Sequence, residues 1–168
     1  NTISKTATLC SSKMTFKYPK HLVHSMFKSI ELWNFRVFGH LLFDLSGPRG
    51  VPLDHAVVYG RNASGKTALM ASVDFLRASV ASFQDVMSGG AGDLPALARA
   101  NVMRQSESPM ALSFVFEVDG RDAEYRVSFS QEDGRVAEES LRYVSPKGRT
   151  VSYFTVTCIG SGPKALFN

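Results

Sequence analysis

The chain has 168 residues, of which 44% are apolar, and this length and composition are typical of one globular domain with a buried core. No apolar run is long enough to span a bilayer, which disfavours a membrane-spanning protein. The two cysteines, Cys10 and Cys158, lie far apart and lack metal-ligand spacing. We therefore predict neither a disulfide framework nor a cysteine metal site, and we expect a cytoplasmic protein.

Residues 1–25 carry the whole net charge of +4. They contain no acidic residue and four lysines, Lys5, Lys13, Lys17 and Lys20. The segment is rich in Ser and Thr and has no hydrophobic periodicity, so we expect a disordered basic tail. One hypothesis makes Met26 the natural start and the tail an over-extended reading frame. The alternative is a basic targeting or DNA-contacting arm.

Two strands are predicted directly after this tail. Alternating apolar residues indicate a first strand through Phe27, Ile30 and Leu32. Its partner runs from Leu41 to Leu45, after a turn near Gly39. The two strands therefore precede the most informative motif of the chain.

That motif is Gly-Arg-Asn-Ala-Ser-Gly-Lys-Thr at residues 60–67, which matches the phosphate-binding pattern G-x-x-x-x-G-K-[ST], the Walker A motif. Gly60 and Gly65 permit tight, partly left-handed turns that point backbone N–H groups at a triphosphate. Lys66 is a point charge that can reach the β and γ phosphates. The Thr67 hydroxyl can occupy one coordination position of Mg²⁺.

The context of the motif requires a strand before it and a helix after it. Ala56 to Tyr59 is a short apolar run of the kind that forms a buried parallel strand. A helix from about Lys66 to Gln84 is predicted by one stripe of apolar residues, Leu69, Val73, Leu76 and Val80. The positive N-terminal end of this helix would point at the phosphates.

The second half of the chain predicts an antiparallel meander. Ser88 to Asp93 is rich in helix breakers and indicates a mobile surface loop, and Pro95 to Val102 indicates a short helix. Residues 111–156 then alternate with period two, with turns at Asp119-Gly120 and Asp133-Gly134. The predicted fold is an α+β lobe, with a β-loop-α nucleotide-binding core beside an antiparallel sheet.

Two segments resemble a known group of ATPases. Residues 30–38, Ile-Glu-Leu-Trp-Asn-Phe-Arg-Val-Phe, are similar to the I-x-x-x-N-F-[RK]-x-[FY] opening of ABC-type ATPases of the RecF, SMC and OLD (overcoming lysogenization defect) group. Residues 57–67 resemble the phosphate loop of bacterial AAA family ATPases, some of them linked to abortive phage infection. The likeness covers about residues 26–145, and Ser152 to Asn168 depart from it.

The resemblance implies the N-terminal lobe of a P-loop NTPase of the ABC-ATPase head type, α+β or α/β, that uses ATP and Mg²⁺. Lys66 becomes the catalytic candidate and Thr67 the metal ligand. Arg36 matches the basic residue of the opening motif and would approach the nucleotide, although a solvated surface arginine is the alternative. The residues assigned to the nucleotide are Gly60, Arg61, Asn62, Ala63, Ser64, Gly65, Lys66, Thr67, Ala68 and Arg36.

Related ATPases complete hydrolysis with a signature sequence and an Asp-Glu-ended strand from a later segment, and they sandwich ATP between two heads. We therefore expect residues 26–168 to form an incomplete lobe that binds ATP weakly and hydrolyses little, in a parent protein that forms a homodimer and contacts DNA. The segment that most resembles this acidic strand is Phe114 to Asp119. Its apolar residues alternate along the chain and a glycine follows it, which favours a hairpin edge.

Other interpretations stay open. Trp33 and Phe35 could stack on the base, but hydrophobic core is their more frequent role. A non-catalytic nucleotide-binding fragment is the main alternative function. A GTPase is disfavoured because no N-K-x-D guanine-reading motif follows the loop, and a small-molecule kinase because the β-rich second half supplies no arginine-bearing lid.

Overall fold

The computed structural model describes residues 4–9, 12–17, 26–87, 94–104, 108–132, 134–145, 147–159 and 162–167. Within these residues it contains two α-helices, α1 (Lys66–Met87) and α2 (Leu94–Asn101), and a 3₁₀ turn at Pro48–Gly50. The strands are β1 (Ser4–Leu9), β2 (Ser12–Lys17), β3 (Met26–Phe35), β4 (Phe38–Asp44), β5 (Met110–Val118), β6 (Arg121–Phe129), β7 (Val136–Val144), β8 (Thr150–Ile159) and β9 (Gly162–Phe167).

Seven strands form one antiparallel sheet in the order β4-β3-β5-β6-β7-β8-β9. The predicted pair of strands before the loop is confirmed, although its turn falls at Arg36 and Val37, before Gly39. The predicted meander is also confirmed, and β8 and β9 extend it. Its turn residue Gly120 has a left-handed φ of 69°, and Gly134 one of 70°, which explains why glycine occupies both turns.

A separate two-stranded sheet forms within residues 1–25. There β1 pairs with β2 in antiparallel register, from Ser4 opposite Lys17 to Leu9 opposite Ser12. This hairpin differs from the disordered tail that the sequence predicts. The difference has a physical basis, because threonine favours strands even where apolar residues do not alternate.

The core lies between one face of the sheet and α1. Phe75 of α1 packs edge-on against Phe35 of β3 and Phe129 of β6, with ring centroids 5.8 and 5.3 Å apart. These perpendicular contacts are a favoured geometry for aromatic rings. Phe75 therefore packs α1 against β3 and β6, the two strands on either side of β5.

The buried stripe of α1 agrees with the predicted one except at its last position. Leu69 is buried and Val73 and Leu76 pack against the core as expected, but Val80 is 44% exposed, and Ser72 and Ser79 are also buried. The Ser72 hydroxyl donates to Leu69 O at 2.7 Å and the Ser79 hydroxyl donates to Phe75 O at 2.9 Å. These serines satisfy their own polar groups inside the helix and are small, so the helix can approach the sheet closely.

The predicted parallel strand before the phosphate-binding motif is wrong. Residues 55–60 form neither strand nor helix, and Val57 and Tyr59 are 85% and 90% exposed. A parallel strand needs parallel neighbours and covered faces. All strand pairs among the described residues are antiparallel, so residues 56–59 have no strand to join.

The remaining predictions for this region concern α2 and the loop before it. The predicted helix at Pro95 to Val102 is confirmed as α2. The predicted mobile loop, Ser88 to Asp93, lies outside the described residues. Within the part of the chain that the structure describes, no helix is long and apolar enough to cross a membrane.

Gly134 offers a test of how the meander is held against α2. A Cβ built on Gly134 would lie 2.6 Å from Pro95 O, whereas one on Gly120 would meet nothing within 4 Å. We expect Gly134→Ala to lower the free energy of unfolding by about 2–3 kcal/mol, and Gly120→Ala by about 1 kcal/mol, because only the first adds a clash to the backbone strain. Urea denaturation measures both. Equal losses would show that the contact with α2 contributes nothing.

The buried carboxyl group of Glu139 should make the stability of the fold depend on pH. Its carboxylate accepts a hydrogen bond from the Tyr125 hydroxyl at 2.8 Å, and burial raises its pKa. The folded state therefore loses stability as pH rises through that raised pKa. We expect Glu139→Gln to increase the free energy of unfolding at pH 7 and to have less effect at pH 4. Tyr125→Phe, which removes the donor that favours the charged carboxylate, should lower it at pH 7. The account fails if thermal unfolding shows no pH-dependent difference between Glu139→Gln and the parent.

Candidate functional site

Residues 60–65 form a loop between residues 55–59 and α1, and residues 60–64 of this loop are exposed. Ala63 and Gly65 both have left-handed φ angles, 64° and 92°. The Ser64 N–H donates to Arg61 O at 3.2 Å, which closes a tight turn inside the loop. A Cβ on Gly60 would lie 2.9 Å from the Ser64 hydroxyl oxygen. The two ends of the loop therefore approach each other closely, and glycine at position 60 keeps the space between them open.

Lys66, the first residue of α1, crosses back over this loop. Its Nζ donates to Gly60 O at 2.8 Å and to Arg61 O at 2.7 Å. An ammonium group has three donors; these bonds use two of them, and a third, longer contact of 3.5 Å runs to the Ser64 hydroxyl oxygen. The bonds hold the positive charge at the mouth of the loop.

Among the described residues, no side chain caps the N-terminus of α1. The first intrahelical bond runs from the Leu69 N–H to Gly65 O at 2.9 Å, which puts a residue without a side chain at the cap position. The first turn contains no acidic residue. The N–H groups of a first helical turn have no intrahelical acceptor, and the helix dipole makes that end positive. The chain therefore leaves these donors available to an external anion.

The tip of the β3–β4 hairpin supports the loop from one side. A Cβ on Gly65 would lie 2.5 Å from Phe38 Cζ and 3.3 Å from Val37 Cγ2. Only a glycine can pass at this distance. Phe38 and Val37 thus fix the position of the loop where it enters α1.

Arg36 lies at the same hairpin tip. Its guanidinium Nε donates to Asn101 Oδ1 at 2.6 Å, and its backbone N–H donates to Asn101 O at 2.7 Å. The side chain is exposed, with its guanidinium carbon 5.9 Å from the centre of the Phe35 ring. The structure therefore brings Arg36, named from the opening motif, to the hairpin tip that contacts the loop.

Thr67 and Ala68 follow Lys66 in the first turn of α1. Thr67 is exposed, whereas Ala68 is buried. Thr67 is therefore accessible at the start of the helix, directly after Lys66 in the chain. The accessible hydroxyl, the ammonium and the uncapped N–H groups form a donor set that fits a phosphate with its Mg²⁺.

The acidic residues at the end of β5 lie away from the loop. Glu117 stands opposite Met26, at the start of β3, whereas the loop contacts the hairpin tip beyond Phe35. Ten strand residues separate those ends by about 30 Å at 3.3 Å per residue. Glu117 and Asp122 instead pair with the Lys28 Nζ, at 3.6 and 2.6 Å. The predicted hairpin is confirmed, because β5 pairs with β6 across the turn at Asp119 and Gly120, but β5 also pairs with β3 and therefore lies inside the sheet and not at its edge.

Trp33 and Phe35 have separate environments. Phe35 is buried in the core as predicted. Trp33 lies on the opposite face of the sheet, where it stacks on His40 at 5.6 Å and Arg126 Cζ lies 5.0 Å from its ring centre. The expected core position is therefore wrong for Trp33. The left-handed φ of Asn34, 53°, interrupts the alternation between the two aromatic residues.

Sequence reasoning missed Phe38 and Asn101. Phe38 belongs to the opening motif, but nothing in the spacing indicates that it contacts Gly65. Asn101 lies 65 residues from Arg36 and has no motif of its own. Among the residues whose side chains are described, no group of three or more His, Cys, Asp or Glu could hold a metal ion.

The loop, its lysine and the uncapped helix are together typical of the P-loop class of nucleotide-binding proteins. The chain belongs to the family described as "AAA domain, putative AbiEii toxin, Type IV TA system", whose model matches residues 56–161. This membership indicates a P-loop NTPase with nucleotide binding and ATPase activity at the level of the family. No curated protein and no solved structure matches the chain.

Gly65 generates a prediction about the contact between loop and hairpin. We expect Gly65→Ala to lower the free energy of unfolding by about 2–3 kcal/mol, because its methyl group would overlap the Phe38 ring at a left-handed φ. Gly39→Ala, whose Cβ would meet nothing within 4 Å, is the matched control and should change stability by less than about 0.5 kcal/mol.

A double-mutant cycle isolates the contact itself. In a Phe38→Ala background, Gly65→Ala should cost less than in the parent, since the ring that it meets is gone. Additive losses in the cycle would contradict the proposed support of the loop by Phe38.

Proposed function

We propose that the chain binds ATP with Mg²⁺ at residues 60–68 and Arg36. The observation that carries this proposal is the uncapped start of α1, where Lys66 holds its ammonium over the loop carbonyls of Gly60 and Arg61. A triphosphate would replace the missing cap, because it supplies acceptors for the free N–H groups and negative charge for the positive helix end.

Each residue has a separate role in this proposal. Lys66 acts as a point charge on the β and γ phosphates, and the loop from Gly60 to Gly65 surrounds them with N–H donors. Thr67 would hold Mg²⁺ through its hydroxyl, and the ion would neutralise charge on the phosphate oxygens. Arg36 adds a second positive charge at the rim of the site.

We propose further that this lobe belongs to an ABC-type ATPase of the RecF, SMC and OLD group. Its support is the arrangement of an antiparallel sheet, a β3–β4 hairpin tip on the phosphate loop, and α1 packed beneath that sheet. In such a protein, hydrolysis would require a signature segment and an acidic strand, with two heads closing on ATP as a homodimer. DNA contact and a role in DNA repair or phage defence follow from the same resemblance.

Nucleotide binding without hydrolysis is the second candidate function. The observation that favours it is that Glu117 and Asp122 form ion pairs with Lys28. These ion pairs lie about the length of β3 away from the loop. Phosphoryl transfer to water needs a residue that orients the attacking water, and neither carboxylate is placed to do so. On this account the isolated chain binds ATP and turns it over no faster than the background.

The direct test compares ATP binding by the parent and by Lys66→Ala, by calorimetry with Mg²⁺. We expect the variant to lose about 10- to 100-fold in affinity, because a hydrogen bond to a charged group contributes roughly 1.5–3 kcal/mol. Lys147→Ala, in the exposed turn between β7 and β8, removes the same charge away from the loop and should bind as the parent does.

Two results would overturn the assignment. Equal affinity of Lys66→Ala and the parent would show that ATP does not bind at the loop. A preference for GTP over ATP in the same titrations would reject the adenine nucleotide in favour of a guanine nucleotide.

A further inference from the structure

Asn101 makes the contacts that determine where the Arg36 side chain lies. It is the last residue of α2, and it is buried, with 4% of its surface exposed. Its Nδ2 donates to Leu97 O, one turn earlier in the helix, at 2.7 Å. Because the amide nitrogen is engaged there, Oδ1 is turned outward as an acceptor, and it receives the Arg36 Nε at 2.6 Å.

The backbone reinforces this contact. Asn101 O accepts the Arg36 N–H at 2.7 Å, the Met103 N–H donates to Asn34 O at 2.8 Å, and Val102 bridges to Phe35. The hairpin tip is thus bound to the end of α2 over several consecutive residues. The last carbonyls of a helix lack intrahelical donors and carry the negative end of the dipole, which favours a cation such as the Arg36 guanidinium at this position.

The choice of Nε as donor has a consequence for the rest of the guanidinium. Arginine has five N–H donors, and the bond to Asn101 uses the one nearest the chain. Within the described part of the chain, the terminal Nη groups of Arg36 make no hydrogen bond, and the side chain is exposed. The four terminal N–H donors of Arg36 are therefore exposed at the tip of the β3–β4 hairpin. The two residues that follow Arg36, Val37 and Phe38, lie against Gly65.

We infer that Asn101 is a positioning residue, which holds the Arg36 guanidinium at the rim of the phosphate loop so that its terminal N–H groups meet the nucleotide's phosphates. This inference rests on the proposed function. ATP carries one more negative charge than ADP, so the guanidinium should favour ATP over ADP. Asn101 then acts on that preference through Arg36 and has no contact with the nucleotide itself.

The test measures ATP and ADP affinities of the full chain for Arg36→Ala, Asn101→Ala and the double variant. We expect Arg36→Ala to weaken ATP binding about 10-fold or more and ADP binding less, which corresponds to about 1.4 kcal/mol or more for ATP. Asn101→Ala should shift the ratio of the two affinities in the same direction. In the Arg36→Ala background, Asn101→Ala should change neither affinity further.

Two additional variants separate positioning from a general loss of structure. Asn101→Leu keeps the same number and branching of side-chain heavy atoms and lacks both hydrogen-bonding groups, so it reports the same effect if Asn101→Ala does not fold. Asn34→Ala removes another asparagine of the same tip, which bonds to Pro109 O at 3.0 Å and not to Arg36. It should lower the melting temperature and leave the ratio of ATP to ADP affinity unchanged.

The outcomes distinguish this inference from the proposed function. A parent chain that binds neither nucleotide, or binds equally well as Lys66→Ala, overturns the proposed function and this inference with it. If the parent binds ATP more tightly than Lys66→Ala does, the proposed function stands. The positioning role alone is then overturned by either of two results: Asn101→Ala leaves the ratio of ATP to ADP affinity unchanged, or its effect on that ratio persists in the Arg36→Ala background. The positioning role is supported if Asn101→Ala shifts the ratio of ATP to ADP affinity in the parent background and not in the Arg36→Ala background.

Discussion

The rest of the site depends on one constraint, the close approach of the Phe38 ring to Gly65 at the start of α1. A Cβ at position 65 would lie 2.5 Å from the ring, so the chain must turn there without a side chain. The helix consequently begins at a residue that has no side chain to cap it, and within the described part of the chain no side chain accepts from its first N–H groups. The same residue thus fixes the loop to the hairpin and creates its capacity to bind an anion.

Packing transmits this constraint to the rest of the fold. The β3–β4 hairpin holds the loop through Phe38, and α1 returns to the same strand through Phe75, which contacts Phe35. The end of α2 binds the hairpin tip through Asn101. Strand, loop and both helices therefore meet at one end of β3, and a displacement of any of them changes the geometry around Lys66.

Local features of the sequence were predictable, and features that need a distant partner were not. The motif at residues 60–67, the start of α1 and the glycine turns of the meander follow from residue types and short spacings. The prediction of a strand at residues 56–59 was wrong, because a strand forms only beside a neighbouring strand, which a local apolar run cannot supply. The contact of Asn101 with Arg36 was missed, since it joins residues that no local pattern relates.

The central claim is that the loop and the uncapped end of α1 receive the phosphates. The most direct measurement is a titration of the ¹⁵N-labelled chain with Mg²⁺ and ATP, followed by backbone amide NMR shifts. The account predicts that the largest shifts fall at residues 60–69, with smaller ones at residues 36–38. Shifts centred on the opposite face of the sheet, around Trp33 and Arg126, with residues 60–69 unchanged, would contradict it.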